Sequence, residues 1–155
     1  MNPPVCKLVS VLAPQALVDN TAWTSSAVDT IGYEHARMVF FVGATDIALA
    51  SLNVGECETS GGGYTDIDGT VVGTDIALDG SVAALPTATD DGKFWIFDIV
   101  LQGRMRYLKI EATAGDGTTG TYACCWCELH RPHIAPSTIA EMGAAEVLNV
   151  PEYAA

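Results

Sequence analysis

Lysine and arginine are missing from Met38 to Gly92, a stretch that carries nine carboxylates. Five of the seven basic residues fall between Lys93 and Arg131, and the 155-residue chain has a net charge of −12. Such a surface repels phosphate backbones, so nucleic acid is not an expected partner. The acidity serves solubility or meets a basic partner, and charge count alone leaves both open. No apolar run approaches the ~20 residues that a membrane-spanning helix needs. The opening MNPPVCKLVSVLAPQ has one lysine and no cationic segment ahead of its apolar residues. No secretory signal is therefore expected, and the chain is expected to fold in the cytoplasm where it is made.

The usual catalytic signatures are also missing. There is no Gly-x-Ser-x-Gly elbow, no P-loop and no dinucleotide fingerprint, and the glycine tract SGGGYTD is not followed by the lysine of a phosphate loop. His35, His130 and His133 have no nucleophile assigned to them by spacing. Acidic residues are plentiful, but acidic loops are ordinarily solvated and do not by themselves mark a paired-carboxylate hydrolase. The expectation is a protein without catalytic residues or cofactor.

What is present is a folded, strand-rich chain. With 49% apolar and 17% charged residues it is not disordered, and its length suits one domain with its own core. VCKLVSVL, HARMVFFVG, IALASLNVGE, KFWIFDIVL, RMRYLKIEATA and TYACCWCEL are short runs of β-branched and aromatic residues, separated by Gly, Asp and Thr clusters. In RYLKIEATA, Leu108, Ile110 and Ala112 alternate with Lys109 and Glu111, the pattern of a half-buried strand. KFWIFDIVL is apolar on both faces except at Asp98, which predicts a central strand covered on both sides. Gln102-Gly103 and Asp116-Gly117 read as tight hairpin turns. Strands at this spacing predict an all-β sandwich or jelly roll over residues 1–131, with residues 1–5 as an N-terminal arm. Residues 132–155 lack strand periodicity and contain three prolines, so they read as a C-terminal arm. Within it, Thr138 and Glu141 have the spacing of a capping box ahead of a short helix ending near Asn149. The phrase TDIAL occurs twice, at Thr45 and at Thr74, and reads as two similar strand entries rather than a repeat.

The densest chemistry lies in TYACCWCELHRPH, Thr121 to His133. Cys124, Cys125, Cys127, His130 and His133 are enough ligands for tetrahedral zinc. On a strand, however, Cys125 and Cys127 point one way and Cys124 the other, whereas zinc ribbons converge two thiolates on a turn. Buried thiols filling core space are the preferred reading, and five cysteines make a complete disulfide framework unexpected. A second metal candidate is TDIDGT, where Asp66 and Asp68 open a sequence like a calcium loop. It lacks the third ligand position and the closing glutamate.

GRMRYLKIEATAGDGTTGTYACCWCELHRPHIAP and the upstream DTIGYEHARMVFFVGATD together resemble small virion proteins of tailed bacteriophages, over roughly Asp29 to Pro136. The best-described members are capsid decoration, or cement, proteins with a jelly-roll body. The cysteines depart from the family pattern, in which that strand carries small apolar residues. The resemblance implies a homo-oligomer, dimer or trimer, that binds the major capsid protein on the outer surface of the assembled virion and stabilises the shell. The contacts are expected in the arms: Pro3, Pro4 and Val5 at one end, and Ile134, Ile139, Met142, Val147, Leu148 and Tyr153 at the other. The alternatives are a head–tail or tail-associated phage structural protein, and a small metal-dependent β-sandwich binding module.

Overall fold

The computed structural model describes residues 6–147. Eight strands follow one another: β1 Cys6–Leu12, β2 Val28–Asp29, β3 Tyr33–Thr45, β4 Ser51–Cys57, β5 Thr65–Asp66, β6 Phe94–Val100, β7 Tyr107–Thr113 and β8 Thr121–Pro132. They form two four-stranded antiparallel sheets, ordered β1-β8-β3-β6 and β2-β7-β4-β5. The order follows from one long antiparallel ribbon. β1 pairs with β8, β2 with β7, β3 with β6 and β4 with β5; wrapping that ribbon then adds the β3–β8 and β4–β7 ladders. This is a jelly-roll sandwich, as the strand spacing predicted.

Alternation drives each strand to bury one face. Ala36, Met38, Phe40 and Val42 of β3 are fully buried against Leu52 and Val54 of β4 and Leu108, Ile110 and Ala112 of β7. These side chains from the two inner faces make the single core. At one end Thr45 and Thr121 satisfy each other, hydroxyl to hydroxyl at 2.6 Å. Their pairing removes the cost of burying two lone hydroxyls.

Three expectations are corrected. Gln102-Gly103 does not close a hairpin, because β6 and β7 belong to different sheets; the same holds for Asp116-Gly117 between β7 and β8. Gly103 has the left-handed φ of 78° that a tight reversal needs, but that fixes only the turn and not the sheet the next strand joins. β6 is not central: it is an edge strand, and Phe94, Ile96 and Val100 are each more than half exposed. In place of a helix, the C-terminal arm makes one turn. The Glu141 carboxylate accepts from the Ser137 and Thr138 amides while the Glu141 amide donates to Thr138 Oγ1. Gly143, with φ 73°, then ends the turn through Gly143→Ala140 and Ala144→Ile139 backbone bonds.

That turn has a structural use. The Leu8 amide, on the free side of β1, donates to the Met142 carbonyl at 2.8 Å. The arm thus covers part of one edge of the β1-β8-β3-β6 sheet. The other sheet ends on strands of two residues, too short to template another chain. β6 is the long open edge.

Candidate interaction face

β8 divides the cysteine-rich stretch between two environments. Ala123, Cys125, Cys127 and Leu129 point into the core, whereas Tyr122, Cys124, Trp126, Glu128 and His130 face outward. Burial pushes the Cys127 thiol up to about 12 and raises Cys125 further still, so both stay protonated. A protonated thiol is a poor nucleophile. His130 lies on the opposite face from these two sulfurs, and His133 is exposed beyond the end of β8. The four residues are not brought together.

Asp66 and Asp68 do not converge either. Asp66 accepts a 2.7 Å hydrogen bond from Asn53 Nδ2, while Asp68 is exposed beside Gly69. The carboxylate that organises this loop is Asp75, which accepts from the Gly69 and Val71 amides at 2.9 and 2.8 Å. Among the described residues, no three His, Cys, Asp or Glu side chains gather as a metal site.

Several residues of the acidic middle have a similar local use. Asp46 accepts from the amides of Thr118, Thr119 and Gly120, tying down the connection into β8. These amides hold its carboxyl at about 2, below the ordinary carboxylate value. Asp90 binds the Thr87 amide and hydroxyl and pairs with Lys93. The two aspartates of the repeated TDIAL phrase, Asp46 and Asp75, are therefore both loop fasteners, one across the fold and one within its own loop.

The outward face of the β1-β8-β3-β6 sheet is where unspent chemistry collects. Its side chains stand in rows set by the ladders. One row places Trp126, Val39 and Ile96 side by side; the next places Cys124, Phe41 and Phe94. Phe41 and Phe94 ring centres are 5.1 Å apart, and the edge of one ring meets the other where Phe94 approaches Trp126 at 6.1 Å. Below them runs a charged row, Glu128, Arg37 and Asp98. Arg37 grips Asp98 through Nε at 2.8 Å and Nη2 at 3.2 Å, and this contact holds the Asp98 carboxyl below its usual value. Glu128 accepts from Trp126 Nε1 and contacts His130 Nε2, both at 3.3 Å.

A groove of about 680 Å³ runs beside β6, lined by Ile76, Leu78, Phe94, Trp95, Ile96 and Asp98 among others. Trp95 Nε1 donates to the Ala84 carbonyl at 3.0 Å and fixes the groove's far wall to β6. Leu78 stands fully exposed at its rim. The nearest approach to a catalytic set is Cys6, opposite His130 in the β1–β8 ladder. Its thiol is raised, by burial first and then by Glu128, which is the reverse of activation.

Of the partner residues expected in the arms, Ile134 is almost fully exposed, Ile139 and Val147 are moderately so, and Met142 is half-buried with its carbonyl on Leu8. Pro3, Pro4, Val5, Leu148 and Tyr153 lie outside the described residues. Sequence reading missed Phe94, Ile96 and Val100 as surface groups. Their signal was the strand apolar on both faces, which fits an edge strand with a sticky outer face as well as a central one. No protein-family model, curated protein or solved structure matches the chain.

Proposed function

We propose that the chain is a non-enzymatic virion structural protein: a capsid decoration, or cement, protein of a tailed bacteriophage. It binds the major capsid protein on the outer surface of the assembled shell, as a homo-oligomer, after synthesis in the host cytoplasm. The observation that carries this reading is a loop-fastened jelly-roll body continued by an arm with exposed apolar side chains, Ile134 most of all. A body of this kind supplies rigidity, and an apolar arm supplies contact area that is gained only where neighbouring subunits present a matching surface. Binding only the assembled lattice stabilises it by mass action, with no chemistry required. The thiols fit the reading as core filler, since Cys125 and Cys127 take the place of small apolar residues.

Co-sedimentation with capsids of the virus that encodes the chain tests this. The full chain is expected to pellet with shells and not with unassembled coat protein. A chain lacking residues 1–5 and 134–155 is expected to stay in the supernatant while keeping the thermal transition of its body. Unchanged binding by that truncated, folded chain would sink the arm-mediated reading. Binding to isolated tails or connectors in place of shells would move the protein to the head–tail class.

A further inference from the structure

We infer that the outer face of the β1-β8-β3-β6 sheet, centred on β3 and β6, is the contact between two copies of this chain. The inference does not depend on capsid binding; it follows from the face itself. Exposed apolar groups concentrate there, with Phe94, Ile96 and Val100 on β6 and Ile76, Leu78 and Val82 on the neighbouring segment. Ile76, Leu78, Phe94 and Ile96 line one groove, and apolar groups gathered in this way mark interaction sites.

The occupant is argued from self-complementarity. Two like faces packed about a two-fold axis along the β3–β6 boundary place each β3 over the partner's β6. The ladder registers then fix what meets what: Val39 opposite Ile96, Phe41 opposite Phe94, and Arg37 opposite Asp98. Phe41 meets Phe94 and Arg37 meets Asp98, each twice by symmetry, while Ile96 covers Val39, which its own neighbours already bury, and His35 comes over Val100. β8, which flanks β3 on the side away from β6, brings Trp126 over the partner's groove beside β6. Against the net charge of −12, the central row of this face, Glu128, Arg37 and Asp98, sets one positive charge among two negative ones, and the Arg37–Asp98 pair within it can exchange partners between copies.

The area suffices. Four ladder positions about 4.8 Å apart and seven residues of about 3.4 Å each give on the order of 450 Å² of flat face per copy. Both copies together approach the roughly 1,000 Å² at which specific association begins, with sheets about 10 Å apart as in any sandwich. An interface of this size belongs to the weak, transient class.

The test exploits the cross-pairing. Arg37→Asp and Asp98→Arg change half-exposed side chains, and each makes the face repel its own copy. Each variant alone is expected to be monomeric by sedimentation velocity at roughly 50 µM, where the unaltered chain is a dimer. Mixed one to one, the two are expected to form a heterodimer, because the substituted aspartate of one copy faces the substituted arginine of the other. An ion pair that matters only within one chain cannot produce that result. If either variant fails to fold, Ile96→Lys, at a more than half-exposed position, serves in its place and should also give a monomer. A monomeric unaltered chain, dimers retained by the single variants, or no heterodimer on mixing would each overturn the inference. Capsid co-sedimentation of the monomeric variants separates this inference from the capsid reading, since either can fail alone.

Discussion

The two sheets share one core and turn different faces to the outside. On the β2-β7-β4-β5 sheet the outward positions include Asn53, Lys109 and Glu111, whose polar groups find partners nearby: Asn53 Nδ2 donates to both Asp66 and Glu111, and the Lys109 ammonium sits over the Tyr64 ring. On the β1-β8-β3-β6 sheet the same positions hold Phe41, Phe94, Ile96 and Trp126, with one row of charge. Both faces tolerate strand geometry equally well, so the contrast is not about folding. A face meant for water is built from groups whose hydrogen bonds close locally. A face built from aromatic and branched side chains gains free energy only when something covers it, at roughly 25 cal/mol per Å².

The contrast is broken most strongly at Ile96. Ile96→Lys is expected to weaken self-association at least about 100-fold, near 2.7 kcal/mol. Glu111→Lys, at the matching depth on the polar sheet, is expected to leave it unchanged; sedimentation equilibrium of the two variants makes the comparison. The next effect lies within β8 itself. Cys127→Ser puts a hydroxyl into an apolar site and is expected to cost about 1–3 kcal/mol in urea unfolding. Cys124→Ser, one strand face away, should stay within about 0.5 kcal/mol. Alkylation followed by mass spectrometry should likewise modify Cys6 and Cys124 before Cys125 and Cys127 at pH 8.

Edges offer a third comparison. A side chain at Gly143 would collide with the Leu8 carbonyl and also faces a left-handed φ, so Gly143→Ala is expected to cost about 1 kcal/mol. Hydrogen exchange at the Leu8 amide should rise in that variant and nowhere along β6. The smallest effect is set by pH. Because the folded Asp46 carboxyl lies at about 2, below its ordinary value of 3.8, its contribution is complete above that ordinary value and is lost as pH falls toward 2. Asp46→Asn should therefore lower the urea midpoint slightly at neutral pH, leave it nearly unaffected near pH 2, and so flatten the acid limb.

Much of this was legible in the sequence where the cause is local. The six long strands follow from β-branched runs, and the split of Cys124 from Cys125 and Cys127 follows from a period of two. What escaped depends on distant partners. Gly103 marks a turn, yet only the wrapped ribbon decides that β7 joins the other sheet. Asp46 resembles any solvated carboxylate until Thr118 and Thr119, more than seventy residues away, supply their amides. β6 was misread as central because two apolar faces suit an edge strand with an exposed apolar outer face as well as a covered one, and only its place at the end of the sheet order separates the two. The two-residue strands β2 and β5 have too few residues to show any period.

The most direct single measurement is native mass spectrometry of the reduced full-length protein, recording assembly mass and bound metal in one spectrum. The account predicts a metal-free dimer, with Ile96→Lys appearing at the mass of one chain. A monomer carrying one zinc per chain, which unfolds when the zinc is chelated, would contradict it. That result would mean that the thiols of Cys125 and Cys127 are not core filler and that the aromatic face has no second copy to cover it.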